Sequence, residues 1–303
     1  MKIYIKFGIF FATVIGLTSL TLKSSAQLNA FEAMYFQNPY MYNPAMAGTE
    51  QHTMRINVGY MQQWSGFQGT PRTALLTADW NPTTNVGVGL NINDDEAGLI
   101  RTTRVMGSYA YHVPLNEYGD KLSFGLNLGI NDSRIDYNRV TGDLSDEEIA
   151  IYNQLKPYVD GDLGMAYTSN RLTVSAALPN LKTVLFQSSD QRFDADRLVF
   201  MGTVSYKLDV DAEAGKWTFE PLAGYRKVNG YKDIGDFGFN FDMNNYGLFL
   251  QSIYHTSQSM GFGVGIDQHN YLLSFSYNLE TGPLSNYTNG SFEFGLKIRL
   301  FNK

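Results

Sequence analysis

In the stretch Val86-Gly87-Val88-Gly89-Leu90-Asn91-Ile92-Asn93, every even position is apolar and every odd one is glycine or asparagine. Leu122, Phe124, Leu126, Leu128 and Ile130 alternate with Ser123, Gly125, Asn127, Gly129 and Asn131 in the same way. Near the end of the chain Phe292, Phe294, Leu296, Ile298 and Leu300 alternate with Glu293, Gly295, Lys297 and Arg299. A period of two makes each stretch a strand with one apolar and one polar face. Each runs about nine to eleven residues, the length with which a tilted strand crosses a bilayer. Weaker segments of this kind cover 53–64, 72–80, 102–113, 157–167, 171–178, 198–208, 217–227, 233–241, 246–255, 260–266 and 271–279. The pattern predicts an all-β chain of about 14 strands.

The connections sort by length. The long ones, 65–71, 131–155, 179–197 and 280–290, all follow odd-numbered strands. Even-numbered strands are followed by 81–85, 168–170, 242–245 and 267–270, with 114–120 and 210–216 slightly longer. A transmembrane antiparallel β-barrel sorts its loops this way, with long loops outside the cell and tight turns in the periplasm. A soluble sandwich or propeller has no reason to. Both termini are then expected in the periplasm, which needs an even strand count. Val88, Leu90, Leu126 and Phe294 are expected to face lipid, and Gly89, Asn91, Gly125 and Asn127 the lumen. Tyr109, Tyr111, Tyr206, Tyr225, Tyr254, Tyr271 and Tyr277 suit interfacial girdles.

One stretch fits neither period. In Gln37-Asn38-Pro39-Tyr40-Met41-Tyr42-Asn43-Pro44-Ala45-Met46-Ala47-Gly48, each proline fixes φ, lacks a donor and biases the asparagine before it away from the helical region. So apolar a segment with so few ladder bonds is either a plug-like element seated in the barrel or a turn-rich lead-in to the first strand. Many inward positions of the clearest strands are Gly, Ser or Asn, which leaves lumen space for an inserted segment.

Composition adds the compartment. Lys2 and Lys6, an apolar run from Phe7 to Leu22 and Ser24-Ser25-Ala26 read as a secretory signal over 1–26. The plug-like segment then covers 27–48 and the barrel 49–303. Removing the leader with its three lysines leaves 277 residues, 20 basic and 29 acidic, net −9, which argues against a nucleic-acid partner. There is no cysteine, hence no disulfide framework and no thiolate metal site.

Catalytic chemistry finds little support. His52, His112, His255 and His269 share no local motif with a nucleophile or metal-ligand partner. Ser252 and His255 stand three apart and so face opposite sides of a strand. Asp143, Asp146, Glu147 and Glu148, with Asp132 and Asp136 nearby, offer oxygen ligands to calcium but lack the EF-hand spacing. They read as a solvated acidic loop, as do Asp94-Asp95-Glu96. No cofactor and no enzyme activity are expected.

Two further motifs carry a resemblance. Tyr42-Asn43-Pro44-Ala45-Met46-Ala47-Gly48 and Gln63-Trp64-Ser65-Gly66-Phe67-Gln68-Gly69-Thr70-Pro71-Arg72-Thr73 resemble the opening motifs of the PorP/SprF family, outer-membrane proteins of the type IX secretion system of Bacteroidetes. Lys121-Leu122-Ser123-Phe124-Gly125-Leu126, Leu178-Pro179-Asn180-Leu181 and Glu220-Pro221 are similar to further family features. Met61 departs from the pattern, standing where a loop arginine is expected. The resemblance implies a barrel that serves gliding motility and protein secretion. It would anchor a large secreted adhesin through that partner's C-terminal signal domain, and would associate with periplasmic or lipoprotein components of the machinery. Asn43, Pro44, Ala45 and Gly48 are the plug candidates; Trp64, Gly66, Phe67, Gly69 and Pro71 are the docking candidates. The alternative is a transporter for small or hydrophobic solutes, gated by the N-terminal segment.

Overall fold

The computed structural model describes residues 33–50, 53–64, 69–135, 152–185, 198–210, 216–229, 232–282 and 289–301. The strands are β1 (Met54–Gln63), β2 (Arg72–Thr83), β3 (Val86–Ala97), β4 (Ile100–Pro114), β5 (Lys121–Ile135), β6 (Tyr158–Thr168) and β7 (Leu172–Leu178). They continue as β8 (Leu198–Tyr206, extended by Leu208–Asp209), β9 (Trp217–Val228), β10 (Ile234–Met243), β11 (Leu248–His255), β12 (Ser259–Asp267), β13 (Tyr271–Glu280) and β14 (Ser291–Leu300). Each pairs antiparallel with its neighbours in sequence, and β14 pairs with β1 from Met54↔Leu300 to Gln63↔Ser291. The sheet therefore closes on itself as a barrel of 14 strands.

Alternation decides which side of the wall each residue takes. Leu90, Leu126 and Phe294 are 40%, 46% and 46% exposed, whereas Asn91 and Asn127 are 7% and 3% exposed. The apolar face thus points outward and the polar face inward, the reverse of a water-soluble protein and the arrangement that lipid stabilises. Every tyrosine expected in a girdle faces outward. Tyr109, Tyr111, Tyr206 and Tyr271 lie towards the mouth formed by the short turns, with Trp80 beside them. Tyr225, Tyr254 and Tyr277 lie towards the long-loop mouth.

The wall is uneven. β4 and β5 have 15 residues each, while β7 has 7. This corrects one expectation, that Asp94-Asp95-Glu96 form a solvated loop. They belong to β3, which turns into β4 through Gly98 and Leu99, with Gly98 at φ +62°. Arg101 Nε and Thr103 Oγ1 hold Asp94 at 2.9 and 2.7 Å, Thr73 Oγ1 donates to Asp95 at 2.5 Å, and Arg72 pairs with Glu96 at 3.0 Å. Beyond the lipid belt a strand no longer needs an apolar face, and cross-strand charge pairs replace it. The acidic stretch 143–148 and Asp136 lie outside the described residues; Asp132 is in β5, paired with Arg134.

Candidate functional site: the barrel lumen

Asn43 sets the local structure of the segment ahead of β1. Its backbone is extended (φ −139°, ψ 116°), and its side-chain Oδ1 accepts from Ala45 N at 2.9 Å, capping a single 3-10 turn over Pro44–Met46. A similar turn covers Pro39–Met41. Proline begins each turn, where its missing N–H costs nothing. These turns satisfy the backbone locally, so the segment needs no strand partner inside the barrel.

Its side chains and the remaining backbone groups bond to the wall instead. Ala33 N donates to the Glu293 carboxylate at 3.1 Å, and Ala33 O accepts from Gln251 Nε2 at 2.8 Å. The Tyr35 hydroxyl donates to Asp236 at 2.8 Å, Gln37 to Gln251 at 2.6 Å, and Asn38 to Thr77 at 3.1 Å. Asn43 Nδ2 donates to Ser175 Oγ at 2.7 Å and Met165 O at 3.0 Å. Gly48 N donates to Asp79 at 2.7 Å, and Gly48 O accepts from Asn81 at 3.1 Å. These partners stand on β2, β6, β7, β10, β11 and β14, so the segment is tied to opposite walls of the lumen. Burial is nearly complete: Tyr40, Ala45 and Ala47 are 1%, 0% and 0% exposed.

The direction of travel follows from the register. Glu293 is near the start of β14, at the long-loop mouth, while Gly87 and Asn81 stand by the short-turn mouth. The segment enters at the first and leaves at the second, where β1 begins. Met54 and Leu300 do share the short-turn mouth, as expected for the ends of the barrel. Ala33, the first described residue, lies towards the opposite one.

Wall glycines make room for it. A Cβ at Gly87 would overlap Ala47 O, one at Gly89 the Tyr40 hydroxyl, one at Gly125 the Ala45 backbone, and one at Gly164 Asn43 Oδ1. In the segment itself, Gly48 has φ +64°, and a Cβ there would meet Gly87 Cα at 2.7 Å and Trp80 O at 2.8 Å. Backbone thus packs on backbone, and only glycine allows it.

Polar clusters complete the fit. Tyr40 donates to Ser108 Oγ at 2.5 Å, which donates to Asn127; Asn127 Nδ2 reaches Asp162 at 2.8 Å, and Arg104 pairs with Asp162 at 2.6 Å. At the other wall Arg226 and His255 Nδ1 both contact Asp236 at 2.6 Å, the carboxylate that Tyr35 also reaches. At the short-turn mouth Arg55 binds Asp79, Glu50 at 3.1 Å and Met46 O at 3.1 Å. His112 lies between Ser123 (2.7 Å) and Ala47 O (2.9 Å).

The sequence-predicted residues separate into two places. Asn43, Pro44, Ala45 and Gly48 are in the lumen, all buried. Trp64, Gly69 and Pro71 are at the long-loop mouth: Trp64 N donates to Gly290 O at 2.9 Å, Pro71 O accepts from Gln63 N at 2.9 Å, and Gly69 O accepts from Gly98 N at 3.2 Å. Gly66 and Phe67 lie outside the described residues. Met61, which stands where the family pattern has a loop arginine, is a lumen residue, 1% exposed against Met34 and Leu75. Sequence reading missed the wall partners Asp236, Glu293, Gln251 and Asp79. Their only signal is a polar residue at an inward position, and many inward positions are polar.

Between the segment and β7–β9 a cavity of about 230 Å3 remains. Thr173, Ser175, Thr203 and Ser205 line one side, Phe36, Tyr42 and Met46 another, and Lys207, Glu220, Glu50 and Lys297 approach from the short-turn mouth.

A closed barrel with lipid-suited outer residues and interfacial aromatics is an outer-membrane β-barrel. The chain belongs to the PorP/SprF family, described as a type IX secretion system membrane protein, whose profile matches residues 24–298. A solved barrel shares the fold. The toluene transporter TbuX of Ralstonia pickettii aligns over 90% of this chain and 97% of its own, at 11% identity and TM-score 0.52. The outer membrane protein Omp33 of Acinetobacter baumannii aligns over 82% and 99%, at 8% identity and TM-score 0.49. No curated protein matches the chain. Family and fold are those of a secretion-system barrel and not of a known enzyme class, and the family implies association with components of that machinery.

Proposed function

We propose that the protein is a closed barrel that anchors a large secreted adhesin at the cell surface, with the 33–48 segment serving as a fixed plug. The observation that carries this reading is the hydrogen bonding of that segment to inward residues on opposite walls. A gate that opens for each solute would have to break these buried bonds together, and each buried group left unpaired costs about 1–3 kcal/mol. In this reading the long-loop mouth faces the exterior and presents Trp64, Gly69 and Pro71 to the adhesin's C-terminal signal domain. The C-terminus lies in the periplasm with the lipoprotein and periplasmic components. The end of the plug at residue 33 lies towards the outer mouth in this reading.

The solute-transporter reading draws support from the cavity beside the segment. Cells discriminate the two. Deletion of the barrel should leave the adhesin lost to the medium or degraded, and tagged barrel should co-purify with it from native membranes. Adhesin that stays on the surface at wild-type levels without the barrel would end the anchoring reading.

A further inference from the structure

Lys297 is 8% exposed, inside the lumen, and lines the cavity described above. Among the described residues no hydrogen-bond or ion-pair partner reaches its ammonium group. Glu50, the carboxylate that shares the cavity with it on that side, is engaged by Arg55 at 3.1 Å. Glu220, across the cavity, accepts from Ser205 at 2.7 Å. A buried cation that makes no direct ion pair is costly, and an occupant that supplies a carboxylate in contact with it reduces the cost.

The rest of the lining says what kind of occupant fits. Thr173 pairs with Ser205 and Ser175 with Thr203 across β7 and β8, so four hydroxyls form a grid on one wall. Ser175 accepts from Asn43 and Ser205 donates to Glu220, whereas the Thr173 and Thr203 hydroxyls bond to no described residue. Facing the grid are Phe36, Tyr42 and Met46 of the lumen segment, with Met201 and Leu222 beside it. A volume of about 230 Å3 is far above the ~10–15 Å3 that one water needs.

We propose that this cavity binds a carboxylate borne on a small, partly apolar group, about the size of one or two amino acids, with Lys297 as its charged anchor. The carboxylate meets the ammonium group, the apolar part lies against Phe36, Tyr42 and Leu222, and an amide or hydroxyl of the ligand bonds to Thr173 and Thr203. Two sources carry this chemistry, a free organic acid and the C-terminal residue of a peptide. Lys207, Glu220 and Glu50 line the side of the cavity nearest the short-turn mouth. The site depends neither on which mouth faces outward nor on the adhesin.

The test is calorimetric titration of the full-length protein in nanodiscs with N-acetyl-leucine and with its uncharged isostere N-acetyl-leucinamide. The acid should bind saturably and the amide about tenfold more weakly or worse, as loss of a charge-assisted hydrogen bond implies. Lys297→Gln should bring the acid down to the amide's level, and Lys297→Arg should restore it. Thr203→Val should weaken acid and amide alike, and it keeps the test available if Lys297→Gln does not assemble; folding is read from the mobility of the unheated protein on gels. Competition by acetate alone would assign the site to free acids. Binding of N-acetyl-seryl-leucine without competition by acetate would assign it to chain ends. Equal binding of acid and amide, no saturable binding of either, or unchanged binding by Lys297→Gln would overturn the proposal.

Discussion

Gly125→Ala isolates the contact between wall and segment. A Cβ at Gly125 would overlap three backbone atoms, Ala45 N, Ala45 Cα and Pro44 C, none of which can turn aside as a side chain tip could. Carbon contacts are optimal near ~3.5–4.0 Å, so the segment must withdraw by about an ångström or more. Overpacking of this kind costs roughly 1–3 kcal/mol. That strain falls on docking of the segment, because the β5 ladder itself accepts alanine. Opening of the segment should become roughly 5- to 150-fold more frequent. Hydrogen exchange followed by mass spectrometry reads this at the amides of Ala45, Met46, Ala47 and Gly48, all hydrogen-bonded in the docked state. Gly107→Ala is the control: it lies on the outward face, and a Cβ there meets nothing nearer than Leu128 O at 3.8 Å. Faster exchange in Gly125→Ala but not in Gly107→Ala is the expected result. Equal exchange in both would refute the claim that wall glycines seat the segment.

Three other outcomes are expected. Leu90→Arg should destabilise the assembled barrel by about 2–4 kcal/mol through lipid exposure, while Leu90→Phe, which stays apolar, should not meet that penalty; equal folding of the two in lipid would mean the register is wrong. Asp236→Asn removes the buried carboxylate that Arg226 and His255 share and should cost about 3–5 kcal/mol in unfolding titrations; an unchanged midpoint would remove the cluster from the stability account. The chain has no cysteine, so Leu99→Cys and Asn116→Cys give clean single labels at opposite mouths. On intact cells a membrane-impermeant maleimide should mark the first only, and labelling of the second alone would invert the barrel.

The strands were legible because lipid on one side and a packed lumen on the other impose period two, as at 122–131 and 292–300. Where lipid no longer acts the signal fails, and so Asp94-Asp95-Glu96 read as a loop although their backbone continues the ladder. Pro39 and Pro44 marked the lumen segment as irregular, and the glycines of β3 and β5 announced space beside it. Its path was not legible. The partners Glu293, Asp236 and Asp79 are distant in sequence, and nothing local distinguishes an inward carboxylate that binds the segment from one that faces water. The entry of the segment at the mouth opposite to Met54 follows only from which wall residues it touches.

Ion conductance tests the central claim most directly. Purified full-length protein in a planar bilayer should give near-zero conductance, because residues 33–48 occupy the lumen with bonds to opposite walls. The same barrel lacking 33–48 should open a steady conductance. A large, stable, solute-permeable current from the intact protein, unchanged by the deletion, would contradict the plugged-anchor account and favour the transporter.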